Sequence, residues 1–156
     1  MSTDNAPGTG PHHAGQAAIL TRAFAEFDAQ CSPPHSGQPA LVVLAPWLAL
    51  LSADVEFLAG NASARIGHAA VAAYFDPLLP AIGTVVHELL TISPVVGHPG
   101  AWTVRGILRL SRLRDGKAIT PIPFADTMFF DPEGRHIAKY EIRFDPAPIG
   151  ELFAPT

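Results

Sequence analysis

Two periodicities divide the chain. Up to about Ile82 the apolar residues mostly recur at three- and four-residue spacing, and beyond Thr84 they alternate. In "AAILTRAFAEFDAQ" (17–30), Ile19, Leu20, Ala23, Phe24 and Phe27 fall on one helical face. The spacing predicts a first amphipathic helix, broken by the consecutive prolines of "CSPPHSGQP". "ALVVLAPWLALL" (40–51) is apolar nearly all round and reads as a second helix with Pro46 at a first turn or kink; its Val-Val pair leaves a strand as the alternative. A short strand follows over about Asp54–Leu58, then a loop at "NASARIG". A third helix is predicted in "HAAVAAYFDPLLPAI", bent or ended by Pro77 and Pro80.

The alternating half predicts four long strands: 84–92, 101–113, 118–130 and 136–145. "RDGK" and "DPEGR" between the later ones are tight-turn sequences, which makes these neighbours antiparallel. Helices placed before a meander give an α+β class. Three helices cannot cover both faces of such a sheet, so the economical arrangement is a strongly curved sheet wrapped around them, enclosing a cavity. Residues 1–16, "MSTDNAPGTGPHHAGQ", read as a disordered tail and 17–156 as one domain. In the closing "PAPIGELFAPT", Leu152 and Phe153 are placed to pack back onto that domain.

Composition sharpens this picture. The 156 residues are 48% hydrophobic and 15% charged with a mean hydropathy of +0.23, which calls for a large core, an internal pocket or an oligomer interface. The net charge of −4 and the lack of a basic run argue against nucleic acid; Arg105, Arg109, Arg112, Arg114 and Lys117 read as a solvated sheet face. No apolar run reaches the length of a bilayer span. A single cysteine, Cys31, and an N-terminus with no basic segment leading into an apolar one give a cytoplasmic expectation. With no HxH, HExxH or CxxC and "GTG" outside any strand–helix unit, no metal and no cofactor are expected.

One residue breaks the pattern. In "PIPFADTMFFDPEG", strand alternation groups Asp126 with Ile122, Phe124, Met128 and Phe130, the more apolar and hence inward face. A carboxyl there is costly to ionise, so its pKa rises, which suits a general acid or a neutral hydrogen-bond donor. The alternative is a structural Asp bonded to a neighbouring strand or to Tyr140. His87 in "TVVHELLTI" is a candidate base, with its face left open because both faces of that strand are apolar. Phe24, Phe57, Tyr74, Trp102, Phe124 and Met128 are the candidate substrate-binding residues, core packing being the alternative for the aromatics. Cys31 beside His35 is a weak nucleophile candidate, and Asp28 reads as an exposed last-turn residue.

The element order, with "WLALLSADVEFLAG", "RIGHAAVAAYF", "PFADTMFFDPEGRHIAKYEIRFD" and "DPAPI", resembles the SnoaL-like, polyketide cyclase-like branch of the nuclear transport factor 2-like superfamily. That resemblance implies a cone-shaped, mixed or antiparallel curved sheet around three N-terminal helices (NTF2-like), and a homodimer through the outer sheet face. It places Asp126 where such cyclases carry an acid/base Asp and where ketosteroid isomerases carry a protonated one, a family that serves as a worked case of a neutral carboxyl. It also places His87 and Asp28 where scytalone dehydratase has a His and an Asp, though the adjoining Tyr is Phe27 here. Phe24 and Phe57 stand where the isomerase has its oxyanion Tyr and its proton-abstracting Asp, so ordinary ketosteroid isomerisation is not expected. Nor is the epoxide hydrolase pattern, because Ile107 and Ile142 replace its acids. The function these readings imply is acid–base cyclisation, isomerisation or dehydration of a hydrophobic polyketide-, terpenoid- or steroid-like molecule, with Asp126, His87 and Tyr140 as the chemical groups. A non-catalytic binding or accessory domain, or a protein-interaction module, is the alternative.

Overall fold

The computed structural model describes residues 11–32, 35 and 37–156. Helix α1 spans Pro11–Cys31, starting earlier than the predicted 17, so the front of the domain takes in part of the expected tail; residues 1–10 lie outside the described residues. Its buried stripe is Leu20, Ala23, Phe24 and Cys31. The early start has a use: the first turns cover Trp102, whose indole nitrogen donates to Gln16 Oε1 at 2.8 Å and whose ring meets His13 edge-on at 5.8 Å.

The predicted second helix is two single turns, α2 (Ala40–Val43) and α3 (Ala45–Leu48). Pro46 brings no N–H, so the ladder begun at Ala40 breaks at Leu44 and restarts with the proline in a first turn. Strand β1 (Leu51–Ala59) is longer than predicted, and β2 (Arg65–Ile66), inside the predicted loop, pairs antiparallel with it. Helix α4 covers His68–Phe75 and is followed by a 3-10 turn at Leu79–Ala81.

The four predicted strands are present, successive strands antiparallel: β3 (Ile82–Pro94), longer at both ends than expected, β4 (Ala101–Arg112), β5 (Ile122–Phe130), which starts four residues later than expected, and β6 (Ile137–Phe144). Gly116 and Gly134 take positive φ in the two turns marked in the sequence. The sheet order is β2-β1-β6-β5-β4-β3, and β1 lies parallel to β6. This six-stranded sheet curls without closing around the helices. A last 3-10 turn, Ala147–Leu152, folds back with Leu152 buried, while Phe153 stays exposed. Arg105, Arg109, Arg114 and Lys117 are exposed as expected, but Arg112 is buried against Asp115.

Candidate functional site

Alternation along β5 sends Ile122, Phe124, Asp126, Met128 and Phe130 inward, all buried. Asp126 is 2% exposed. Its Oδ2 accepts the Tyr140 hydroxyl at 2.9 Å, an arrangement made possible because β5 and β6 are antiparallel neighbours and both residues face inward. Its Oδ1 is buried with no partner among the described residues. Burial raises the Asp126 carboxyl to about 8, opposed only by the Tyr140 bond. Tyr140 in turn is pushed well above its usual value by burial and by the neighbouring carboxylate, so it remains a donor. In the acid form the proton belongs on Oδ1, the oxygen Tyr140 leaves free.

The open question of the β3 face is settled by burial. Val85 is buried and His87 half-buried, while Val86, Glu88 and Leu90 are exposed, so His87 points inward. A register shift between Leu89 and Thr91 then reverses the alternation, which is why Ile92 also packs against the core. The imidazole Nδ1 lies 2.5 Å from Asp28 Oδ1, and the His87 backbone N–H donates to Asp28 Oδ2 at 2.8 Å. Asp28 is thus no idle surface residue: the last turns of α1 set it against β3, where it holds the ring by Nδ1–H and leaves Nε2 as the acceptor. Three rings confine the imidazole further, Phe24 at 5.0 Å, Phe27 at 5.8 Å and Phe124 at 5.4 Å. Phe124 reaches this place because position 106 is glycine. A Cβ there would lie 2.8 Å from the Phe124 ring and 2.3 Å from the Glu88 carbonyl oxygen.

Both groups line one cavity of about 90 Å³ between the sheet, α1, α4 and the last 3-10 turn. Of the sequence candidates, Phe24, Tyr74, His87, Phe124, Asp126 and Tyr140 lie on its wall. Three do not. Phe57 is fully buried among Tyr74, Phe75 and Tyr140, behind the wall. Met128 faces inward but is packed solid between Trp102 and Tyr140 on the flanking strands. Trp102 is spent on α1 through Gln16 and His13. Trp47, which the sequence reading left out, is on the wall, edge-on to Phe27 and Phe75. The described lining contains no Lys or Arg. Cys31 is fully buried, and burial followed by the nearby Asp28 charge pushes its thiol up to about 12, which removes it as a nucleophile. Among the described residues no group of three His, Cys, Asp or Glu is placed to hold a metal ion, and no helix is long and apolar enough to cross a membrane.

A curled sheet around helices, with an apolar cavity and a few inward polar groups, defines the NTF2-like fold, and solved structures bear this out. An NTF2-like protein of unknown function from Burkholderia pseudomallei superposes with a TM-score of 0.68 at 16% identity, over 90% of this chain and 98% of its own. A protein from Jannaschia sp. described as a SnoaL-like polyketide cyclase gives 0.65 at 14% identity, over 94% and 97%. The epoxide hydrolase/cyclase-like enzyme SalBIII, of pyran ring formation in the polyether salinomycin, gives 0.64 at 15%, over 86% and 94%. No family model matches the sequence, and no curated protein matches it.

Proposed function

We propose that the cavity is the active site of an enzyme whose own side chains perform acid–base chemistry on an apolar substrate: cyclisation, isomerisation or dehydration. The observation that supports this is that Asp126, bonded to Tyr140, and His87, bonded to Asp28, both line one apolar cavity. They sit apart on the sheet, His87 opposite Leu108 of β4 and Asp126 opposite Val104 further along the same strand, so they address different atoms of a ligand. His87 Nε2 takes a proton from a carbon beside a carbonyl. The electron pair moves onto the carbonyl oxygen, which receives a hydrogen bond or the proton from Asp126 Oδ1. Return of the proton at another carbon gives isomerisation, attack of the carbon on an internal electrophile gives a ring, and loss of a β-hydroxyl as water gives dehydration. The similarity to proteins described as cyclases supports this reading of the fold.

The test uses neutral cyclic ketones and β-hydroxy ketones in deuterated water, with deuterium uptake and product read by mass spectrometry. The protein as found takes up deuterium, and Asp126→Asn and His87→Gln abolish uptake while keeping the far-ultraviolet circular dichroism. Unchanged uptake in both variants removes the mechanism. A protein that binds these ketones without exchange favours the second reading, a binding domain, which the phenylalanines at 24 and 57 in place of the isomerase groups support. Exposed Val86 and Leu90 on the outer face of edge strand β3 support the expected homodimer.

A further inference from the structure

The cavity is small for the ligands the fold suggests, since drug-sized molecules occupy roughly 300–1,000 Å³. Across the last 3-10 turn lies a second space of about 410 Å³ of mixed polar and apolar lining, formed by Arg112, Asp115, Lys117, Ile119, Glu151 and the segment 154–156. Ile149 and Leu152 face the apolar cavity, and Glu151 faces this second groove. The turn is anchored by Leu152, which is buried in the core with Ile149 packed against it, while its polar ties are few and exposed. Glu151 Oε2 accepts the Thr120 backbone N–H at 3.0 Å, Arg114 donates to the Ala154 carbonyl, and Asp145 Oδ1 accepts the Ala147 N–H at 3.0 Å.

Glu151 is the informative contact. Its carboxylate occupies an anion position made by a backbone N–H with two cations behind it. The Thr120 bond first, and the charges of Lys117 and Arg112 after it, hold its carboxyl below the usual range. Arg112 is only 7% exposed and is fixed by Asp115 through Nε at 3.0 Å and Nη2 at 2.5 Å, so the groove has a rigid floor whose arginine charge is compensated by a carboxylate. The Lys117 ammonium has no ion pair among the described residues. The next residue, Leu152, puts an aliphatic side chain into the cavity. The Glu151–Leu152 pair therefore places a carboxylate and an apolar group as one molecule would.

We propose that this turn is a built-in stand-in for the ligand, and that the ligand is an apolar carboxylate whose anionic end replaces Glu151 at Thr120 and Lys117 while its apolar part enters the cavity toward Asp126 and His87. Displacing the turn joins the two spaces. Ile122, three residues on from the groove's Ile119, and Asp126 share the inward face of β5 about 13 Å apart along a strand rising ~3.3 Å per residue, which sets the reach of the apolar part. The ligand class rests on the reading above only in taking the cavity as the binding site. A ligand can bind here without being turned over, so binding and deuterium uptake fail separately.

Isothermal calorimetry with octanoate and octanol, which share a chain and differ in charge, tests this on the full chain. Octanoate binds more tightly than octanol; equal or tighter binding of octanol, or binding of neither, overturns the proposal, because an unheld carboxylate only adds desolvation cost. Lys117→Gln weakens octanoate about fivefold, as expected for one exposed ion pair, and leaves octanol unchanged. No change for octanoate places the anion elsewhere and also overturns it. Glu151→Gln removes the internal competitor and tightens octanoate; weaker octanoate binding would mean that Glu151 supports the site and mimics nothing.

Discussion

Two carboxylates serve the same cavity from opposite environments, Asp126 on its wall and Asp28 behind His87. Asp126 is buried within the sheet with one donor, a hydroxyl, and one oxygen that has no partner among the described residues. Asp28 sits at the end of a helix with 21% of its side chain exposed, and both its oxygens accept N–H groups of His87. The first is therefore suited to keep a proton and give it away. The second is suited to fix a ring in one tautomer. The same type of side chain acquires two environments from burial and donor count alone.

The sharpest way to separate the two is charge removal read as stability. Burial raises the Asp126 carboxyl from an ordinary 3.8 to about 8 in the folded protein. The native protein therefore holds an extra proton between those values. Stability is full below that window, falls as pH rises through it at up to about 1.4 kcal/mol per pH unit, and is flat above it. Asp126→Asn keeps the Tyr140 bond and removes the buried charge, so its thermal midpoint should exceed that of the parent at pH 9 and approach it at pH 5. A parent that gains stability from pH 5 to 9 relative to the variant would mean the carboxylate is stabilised in the fold. Asp28→Ala should act on turnover: about 10- to 100-fold off kcat, with KM little changed, since Asp28 positions a base and does not touch the ligand. Nitrogen NMR should show the Nδ1–H tautomer of His87 in the parent and a mixture in the variant; an unchanged tautomer would leave Asp28 a merely structural tie. Tyr140→Phe is the smallest change. Its bond lowers the Asp126 value, so losing it moves the alkaline limb of the pH–rate profile upward. A limb that moves down would reverse the assigned role of that hydroxyl.

How far these features were legible follows from the range of the forces involved. Asp126 stood out because period-two alternation is local, and the large apolar neighbours fix which face goes in. His87 was named as a candidate base, but its face stayed open, because its strand is apolar on both sides and the register shift after Leu89 changes the alternation part-way. Asp28 was misread: nothing within a helical turn of it distinguishes a solvated aspartate from one that meets a histidine 59 positions away. Phe57, Trp102 and Met128 were correctly seen as apolar and inward, yet a wall residue and a residue behind the wall share that pattern. Only packing tells them apart, as Gly106 and Phe124 do for the ring that reaches His87. The start of α1 was missed because its first turns are chosen to cover Trp102, a partner far along the chain.

The parallel pairing of β1 with β6 carries a consequence for how the protein comes to be active. The meander β3 to β6 forms from neighbours in sequence, but β1 finds its long-strand partner only after β6 exists, and such distant pairings are slow to form. Until then β1 has a free edge, and the helices that precede it have no closed wall to cover. The contact between Asp28 and His87 likewise joins an early segment to a late one. The proposed proton transfer is therefore expected to appear late in folding, so that regained turnover lags the recovery of secondary structure on refolding.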